Sequence, residues 1–145
     1  MKEVDIKNYI TGRLETLIPA TLGMVVSDDF TTDFLGRESN INTFPLAVVC
    51  PAAIDSEMTD SNDNRRTYTF DILIVQKGEN IQSGTDIETI RETVMNLFDA
   101  DLTFGGKADG GVLPSSSQIG SFSHADKSWV GFVLTLKPKA LIPLS

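Results

Sequence analysis

The chain has 145 residues, enough for one domain with its own core, and we expect a single domain over 1–145. Its 20 acidic and 12 basic residues give a formal net charge of −8, which argues against an electrostatic grip on nucleic acid or on an anionic membrane. The single cysteine excludes an internal disulfide, no apolar run is long enough for a membrane helix, and the charged first residues predict no signal peptide.

The first predicted element is an amphipathic helix over 3–17. A short strand or extended segment follows over 22–26, and 27–42 is polar and irregular. The run 44–50 is β-branched at its centre and bracketed by prolines, which predicts a buried strand with Cys50 as a small core residue. The helix stripe recurs at steps of three and four and consists of Ile6, Tyr9, Ile10, Leu14 and Leu17.

The clearest strand covers 67–77, where the residues of an apolar face alternate with those of the opposite face. One face is predicted to carry Tyr68, Phe70, Ile72 and Ile74, and the other Thr69, Asp71, Leu73 and Val75. The segment 57–66 is rich in charges and turn formers, so we expect an exposed, flexible loop at the tip of a long hairpin.

The second helix is predicted over 86–98, where Thr85 and Glu88 form a capping box. Asp99 and Asp101 oppose the helix dipole and indicate a solvated helix end. The apolar stripe consists of Ile87, Ile90, Val94, Leu97 and Phe98.

The last third begins with a glycine- and serine-rich segment over 102–117, which predicts a mobile loop. Two strands follow over 118–123 and 128–137, joined by a turn at 125–127. Residues 138–145 form an apolar tail, and its prolines disfavour regular pairing, so we expect it to lie against a neighbouring subunit rather than extend its own sheet. One face of the last strand is predicted to carry Val130, Phe132, Leu134 and Leu136.

This order, α-β-β-α-β-β, predicts an α+β fold. We expect a mainly antiparallel sheet of four or more strands with both α-helices packed on one face, because that arrangement buries both helix stripes at once.

No catalytic constellation is visible. His124 is the only histidine, and no nucleophile elbow surrounds the serines near it, so we interpret it as a solvent-facing residue at a hairpin end. The pair Gly106-Lys107 lacks the other positions of a phosphate loop, and the acidic run from Asp60 lacks the turn glycine of a calcium loop. We therefore expect no catalytic, metal or cofactor site and predict that the protein is not an enzyme.

The element order and apolar pattern resemble those of the tail terminator proteins of long-tailed bacteriophages, including the lambda-like ones. The resemblance implies a homohexameric ring that caps the tail tube, ends its polymerisation and joins tail to head. It covers nearly the whole chain and is carried by the helix ending near Leu17, the strand Phe44-Pro45-Leu46-Ala47-Val48-Val49, the arginine-led strand from Arg66 to Val75, the helix with Ile87, Ile90, Val94 and Leu97, and the closing strand with Trp129 and Phe132.

The resemblance also implies partners and a location. The partners are further copies of the chain, the tail tube protein and a neck or head-completion protein, while DNA passes through the channel without specific binding. An acidic channel suits this role because it repels phosphates. The protein is expected at the tail–neck junction of the virion after synthesis in the host bacterial cytoplasm, with no membrane partner.

Candidate contacts with neighbouring subunits or the tail tube lie in the two predicted loops and the C-terminal tail. They are Asp60, Asp63, Arg65, Arg66, Lys107, Asp109, Leu141, Ile142 and Leu144. Three other functions fit the same pattern: a neck or head-completion adaptor of the same connector, a non-viral regulatory α+β domain that binds a small ligand, and an enzyme whose site is built across subunits.

Overall fold

A computed structural model describes residues 2–18, 21–27, 45–58, 63–77, 87–99, 101, 105, 110–111, 114–117, 119–124 and 127–143. This part of the chain forms two helices and one eight-stranded sheet. The elements in chain order are α1 (Lys2–Glu15), β1 (Met24–Ser27), β2 (Leu46–Met58), β3 (Asp63–Lys77), α2 (Ile87–Asp99), β4 (Gly110–Gly111), β5 (Ser115–Ser116), β6 (Gly120–His124), β7 (Lys127–Leu136) and β8 (Pro138–Pro143). The predicted α+β class and the order α-β-β-α-β-β are confirmed. The strand β1, predicted as a short strand or extended segment, and the strands β4, β5 and β8 come in addition to that order.

The sheet is organised around β3, its longest strand at 15 residues. On one side β3 pairs with β2 in an antiparallel hairpin, and β1 extends that side by pairing in parallel with β2. On the other side β3 pairs first with β8 and then with β7, both antiparallel. The strands β5 and β6 each pair with β7, and β4 pairs with β8. Apolar residues alternate along β3 and β7, which is the pattern of a strand with one face buried, because successive side chains of a strand point to opposite faces. This pattern explains why β3 and β7 lie at the centre of the sheet.

The main core contains side chains of both helices together with sheet residues that share one face. Register places Val49, Ile72 and Leu134 side by side across β2, β3 and β7, so they point to the same face. The residues predicted to share one face of β3 and one face of β7 are all buried in this core. The helix residues in this cluster are Ile6, Ile10, Leu14, Ile87, Ile90, Val94 and Phe98, with Tyr9, Leu17 and Leu97 partly buried against it.

The opposite face of the sheet is also buried. Leu46, Val48, Val75 and Trp129 are fully inaccessible to solvent but lie outside the main cluster. Their places in the register put them on the face that points away from Ile72 and Ile74. Cys50, predicted as a core residue, instead lies on this second face opposite Asp71 and is only half-buried.

The predicted loop at 57–66 is wrong in extent. The strand β2 continues to Met58 and β3 begins at Asp63, so only 59–62 lies between them, outside the described residues. Register is continuous from Ala53 to Met58 after an irregularity between Pro51 and Ala53. Polar residues can form these strands because backbone hydrogen bonds, rather than an apolar face, hold an exposed pair together.

The expectation that the C-terminal tail avoids its own sheet is also wrong. Residues Pro138–Pro143 form β8, which pairs with 63–67 of β3. Both prolines stand at the strand ends, where a missing backbone N–H interrupts the ladder least. Ala140 is buried in the core, so the tail has a place in its own domain. The predicted loop at 102–117 likewise contains β4 and β5.

Candidate assembly surface

The distal part of the sheet extends past the residues that pack against the helices. We call the arm the part formed by 53–58 of β2, 63–67 of β3 and 138–143 of β8. Its register places Glu57, Arg65 and Leu141 in one row across the three strands, and Asp55, Thr67 and Lys139 in the next. Because cross-strand partners point to the same face, all six of these side chains share the face that is opposite to the main core.

The first edge of the arm is strand β2. All of its residues from 51 to 57 are exposed, and half of the Ile54 surface (50%) is accessible. The described pairing with β1 covers 46–49, and no second strand of the described structure pairs with 51–57 on this side. Such an edge presents N–H and C=O groups that can accept another strand.

The second edge of the arm is strand β8. The short strand β4 covers it only at Pro138 and Lys139. The stretch from Ala140 to Pro143 follows the last described pairing with β4, which is at Lys139. Leu141 lies on this stretch and is 47% exposed, the second large apolar side chain that the arm leaves in solvent.

A shallow cavity of about 190 Å³ lies beside the second edge and is lined by Arg65, Gly110, Lys139, Ala140 and Leu141. The two cationic side chains meet here because Arg65 pairs with Leu141 and Lys139 pairs with both Thr67 and Gly110. Arg65 is exposed and Lys139 is half-buried. The cavity therefore adds a positive feature to a chain whose formal net charge is −8.

Five of the nine predicted contact residues lie in the arm. The pairing of β3 with β8 brings together Asp63, Arg65, Arg66, Leu141 and Ile142. Arg66 points to the face opposite to Arg65, since neighbouring residues of a strand alternate. The other four, Asp60, Lys107, Asp109 and Leu144, lie outside the described residues.

Three charged residues of the arm were not predicted as contacts: Asp55, Glu57 and Lys139. The signal for the two acids was present in the sequence. Asp55 and Glu57 alternate with Ile54 and Ser56, a period-two pattern that indicates a strand rather than a loop. Lys139 joins this surface only because β8 pairs with β3, and the prolines of the tail led to the opposite prediction, that the tail does not pair with its own sheet.

A cluster of polar groups connects α1 to the residues that follow α2. The Tyr9 hydroxyl donates a hydrogen bond to Oδ2 of Asp101, and the backbone N–H of Gly105 donates one to Oδ1 at 3.0 Å. The hydrogen bond to Asp101, then burial and the negative charge of that carboxylate, raise the pKa of the Tyr9 phenol, while the charge of Arg13 opposes them. Asp101 is half-buried, so the prediction of a solvated helix end is wrong for this residue, whereas Asp99 is exposed.

Within the described ranges, no group of three or more His, Cys, Asp or Glu side chains could hold a metal ion. The backbone of His124 pairs with Lys127 at the end of the β6–β7 hairpin, the position the sequence indicated, and its side chain lies outside the described structure. None of the described helices is long and apolar enough to cross a membrane.

No protein-family model and no curated protein matches this chain.

Proposed function

We propose that the protein is a non-enzymatic structural subunit that forms a ring at the end of a phage tail tube, where the ring stops tube polymerisation and joins the tail to the head. The partners in this proposal are further copies of the chain, the tail tube protein and a neck or head-completion protein. The element order of the resemblance supports it, as does the arm.

The observation that carries the proposal is the two-edged arm. Both helices pack into the main core, yet β2 continues beyond that core with every residue from 51 to 57 exposed. Long exposed edge strands invite pairing with other chains, and proteins that remain monomeric protect them. An arm that leaves 51–57 of β2 exposed, with Ile54 and Leu141 partly in solvent, is suited to contacts with neighbouring chains.

The arm favours assembly over binding of a small ligand. Pockets that enclose drug-sized ligands have volumes of roughly 300–1,000 Å³. The cavity beside Arg65 and Lys139 holds about 190 Å³ and is shallow, so it suits a protruding side chain better than an enclosed molecule.

The charge of the chain is compatible with DNA passage. A formal net charge of −8 for each subunit gives a ring that repels phosphates instead of binding them. DNA can then move through the channel without being held, as the proposal requires.

The decisive test uses the phage genome that encodes this chain. We expect particles made without the protein to have tails longer than normal and detached from heads, measured by negative-stain electron microscopy. Supplying the wild-type chain in trans should restore tail length. Tails of normal length that remain detached would instead indicate a neck or head-completion adaptor. Normal, infectious particles made without the protein would refute both virion functions.

A purified system separates assembly from infection. We expect the protein to bind one end of preformed tail tubes and to stop their elongation when added during tube polymerisation. Electron microscopy of end-bound density and the distribution of tube lengths measure these effects. A tube-length distribution that is unchanged at saturating protein would contradict the terminator function.

A further inference from the structure

Two cationic side chains of the arm reach the same cavity from neighbouring strands. Arg65 of β3 pairs with Leu141 of β8, and Lys139 of β8 pairs with Thr67 of β3. Arg65 and Lys139 are therefore diagonal neighbours on one face of the sheet, with backbones roughly 7–8 Å apart. Both line the cavity of about 190 Å³, which we call the cationic cavity. Long side chains at this spacing can bring a guanidinium and an ammonium to one small group.

A glycine keeps one side of the cationic cavity open. Gly110 of β4 pairs with Lys139 and lines the cavity. Its φ of 158° lies in a range that glycine adopts readily, and a Cβ added there would meet nothing within 4 Å. Cross-strand partners share a face, so a side chain at this position would stand beside Lys139. Because glycine has none, the space beside the Lys139 side chain is left for a ligand.

The groups beside the cationic cavity carry one excess positive charge. Glu57 of β2 pairs with Arg65 and shares its face, so two cations and one acid leave a net charge of +1. Asp55 shares this face too, but it lies two strand spacings from Lys139. Glu57 and Arg65 are both exposed, and such pairs are weak, so the guanidinium keeps donors for a further group. A ligand with one negative charge neutralises the excess, whereas a phosphate dianion or DNA would meet the acidic surplus of the chain.

The size and donors of the cationic cavity suit a carboxylate. A water molecule takes about 30 Å³ of liquid, so about 190 Å³ has room for one small group and a few waters, but not for a drug-sized ligand. The planar guanidinium of Arg65 presents two parallel N–H groups that match both oxygens of a carboxylate, and the Lys139 ammonium adds a compact charge. A shallow cavity leaves the carrier of that group outside. An aspartate or glutamate side chain of another polypeptide meets this condition.

We propose that the cationic cavity is a binding site for one carboxylate, presented by an acidic side chain of another polypeptide that docks on the arm. Arg65 donates two hydrogen bonds to the carboxylate oxygens, and Lys139 donates a third. Gly110 leaves the space in which the group lies. The inference rests on the proposed function only in that another chain contacts the arm, and the contact needs no strand pairing.

Peptide titration measures the site directly. The probe is the peptide acetyl-Gly-Glu-Gly-amide, and the reference is acetyl-Gly-Gln-Gly-amide, which has nearly the same shape and no charge. At constant ionic strength, the glutamate peptide should shift the amide NMR signals of Gly110 and Lys139 to saturation. We expect a dissociation constant in the millimolar range, because a single group supplies the contacts. The glutamine peptide should leave the signals in place. Equal shifts from the two peptides, or shifts that do not saturate, would overturn the inference.

Single substitutions assign the contacts. We expect Arg65→Gln and Lys139→Gln each to weaken binding of the glutamate peptide roughly tenfold, because each removes hydrogen bonds between charged partners. The matched control is Lys137→Gln, which removes the same charge at an exposed position outside the cavity lining and should leave the affinity within about twofold. An equal loss in Lys137→Gln would mean that general surface charge attracts the peptide, which overturns the site.

A charge-conserving variant tests the geometry at Arg65. Arg65→Lys keeps the positive charge at an exposed position but loses the planar fork, so we expect the glutamate peptide to bind about three- to fivefold more weakly. Wild-type affinity in this variant would refute the two hydrogen bonds assigned to Arg65. Inorganic phosphate is the second probe. If it binds the wild-type chain more tightly than the glutamate peptide does, the cavity is a phosphate site and the carboxylate assignment is overturned.

Association of whole chains separates the inference from the proposed function. The double variant Arg65→Gln with Lys139→Gln should bind tail tubes and further copies more weakly, measured by end-bound density in electron micrographs and by sedimentation velocity. Unchanged association of a double variant that no longer binds the glutamate peptide would overturn the inference and leave the terminator function intact. Weaker association of the double variant, together with a wild-type chain that binds the peptide but does not affect tail length, would support the inference and refute the terminator function.

Discussion

Tyr9 of α1 donates a hydrogen bond to Oδ2 of Asp101, across 2.5 Å and 92 residues of sequence. The other oxygen of the same carboxylate accepts the backbone N–H of Gly105. A single carboxylate therefore connects the first helix to the chain that follows the second helix. The contribution of these two hydrogen bonds to the free energy of unfolding can be measured by removing each partner in turn.

Loss of the phenol should weaken the fold modestly. Tyr9→Phe removes one hydrogen bond to a partly exposed carboxylate, so we expect the free energy of unfolding to fall by about 1 kcal/mol. Asp101→Ala should cost more, because it also removes the acceptor of the Gly105 N–H. Urea denaturation measures both. The double variant should be less destabilised than the sum of the two single variants, and strict additivity would show that the two side chains do not interact.

The same contact makes stability depend on alkaline pH. The folded chain holds the Tyr9 proton more tightly than the unfolded chain, since the pKa of the phenol is raised on folding. This contribution is fully present below the unfolded pKa of about 10 and is lost as pH rises through the folded pKa, because only the unfolded chain releases the proton in that window. The stability difference between wild type and Tyr9→Phe should narrow above pH about 10. A difference that stays constant up to pH 11 would contradict the pKa shift.

Gly105 should not tolerate a side chain. Its φ of 67° lies in the left-handed region, and an added Cβ would approach Cε2 of Tyr9 to 2.5 Å. We expect Gly105→Ala to destabilise by about 2 kcal/mol, from backbone strain and from displacement of the Tyr9 ring. The matched control is Gly12→Ala in α1, where nothing lies within 4 Å and alanine should stabilise the helix by about 0.5–1 kcal/mol. Thermal melts that give both variants the same sign would contradict this account.

Apolar periodicity was sufficient to predict the central fold. The inward residues of β3 and β7 and the stripes of α1 and α2 are buried as their spacing indicates, because these elements stabilise the domain by removing one face from water. The same reasoning failed in the arm. There, charged residues such as Glu57 and Arg65 form strands through backbone pairing, and no apolar face marks where the strands end.

The candidate surface was only partly predictable for a related reason. The sequence pattern places Arg65 and Arg66 in a loop and Leu141 in a free tail, whereas pairing of β8 with β3 holds all three together in the sheet. Similarly, Asp101 was interpreted as solvated because its partner, Tyr9, lies in the first helix. Contacts between distant segments depend on topology, which the pattern of one segment does not contain.

Removing β8 should destabilise the subunit itself. A chain that ends after Lys137 loses pairing to β3 over 63–67 and exposes core neighbours of Ala140, which is only 1% accessible. We expect a loss of several kcal/mol in the free energy of unfolding, by contrast with the mild effect expected for an unpaired tail. The control is Leu141→Ser, which alters an exposed side chain and should leave the melting temperature within a few degrees. A truncated chain as stable as the wild type would contradict the role of β8.

Gly131 should be the least replaceable glycine of the described sheet. It lies in β7 opposite Val75, and an added Cβ would collide with the backbone carbonyl oxygen of Ile74 in the central strand. A backbone atom cannot rotate away as a side chain can, so β7 would have to move from β3 and lose ladder hydrogen bonds. We expect Gly131→Ala to destabilise by about 3 kcal/mol.

The matched control is Gly120→Ala on the neighbouring strand. Gly120 pairs directly with Gly131, is exposed and has nothing within 4 Å of the added Cβ, so the substitution should be neutral or slightly stabilising. Trp129, the only tryptophan and fully buried, provides the signal, since its fluorescence should shift to longer wavelength on unfolding. Urea midpoints followed at Trp129 should therefore fall for Gly131→Ala and not for Gly120→Ala. Equal midpoints for the two variants would mean that β7 can move away from β3 without loss, and that the close approach at Gly131 does not hold the centre of the sheet.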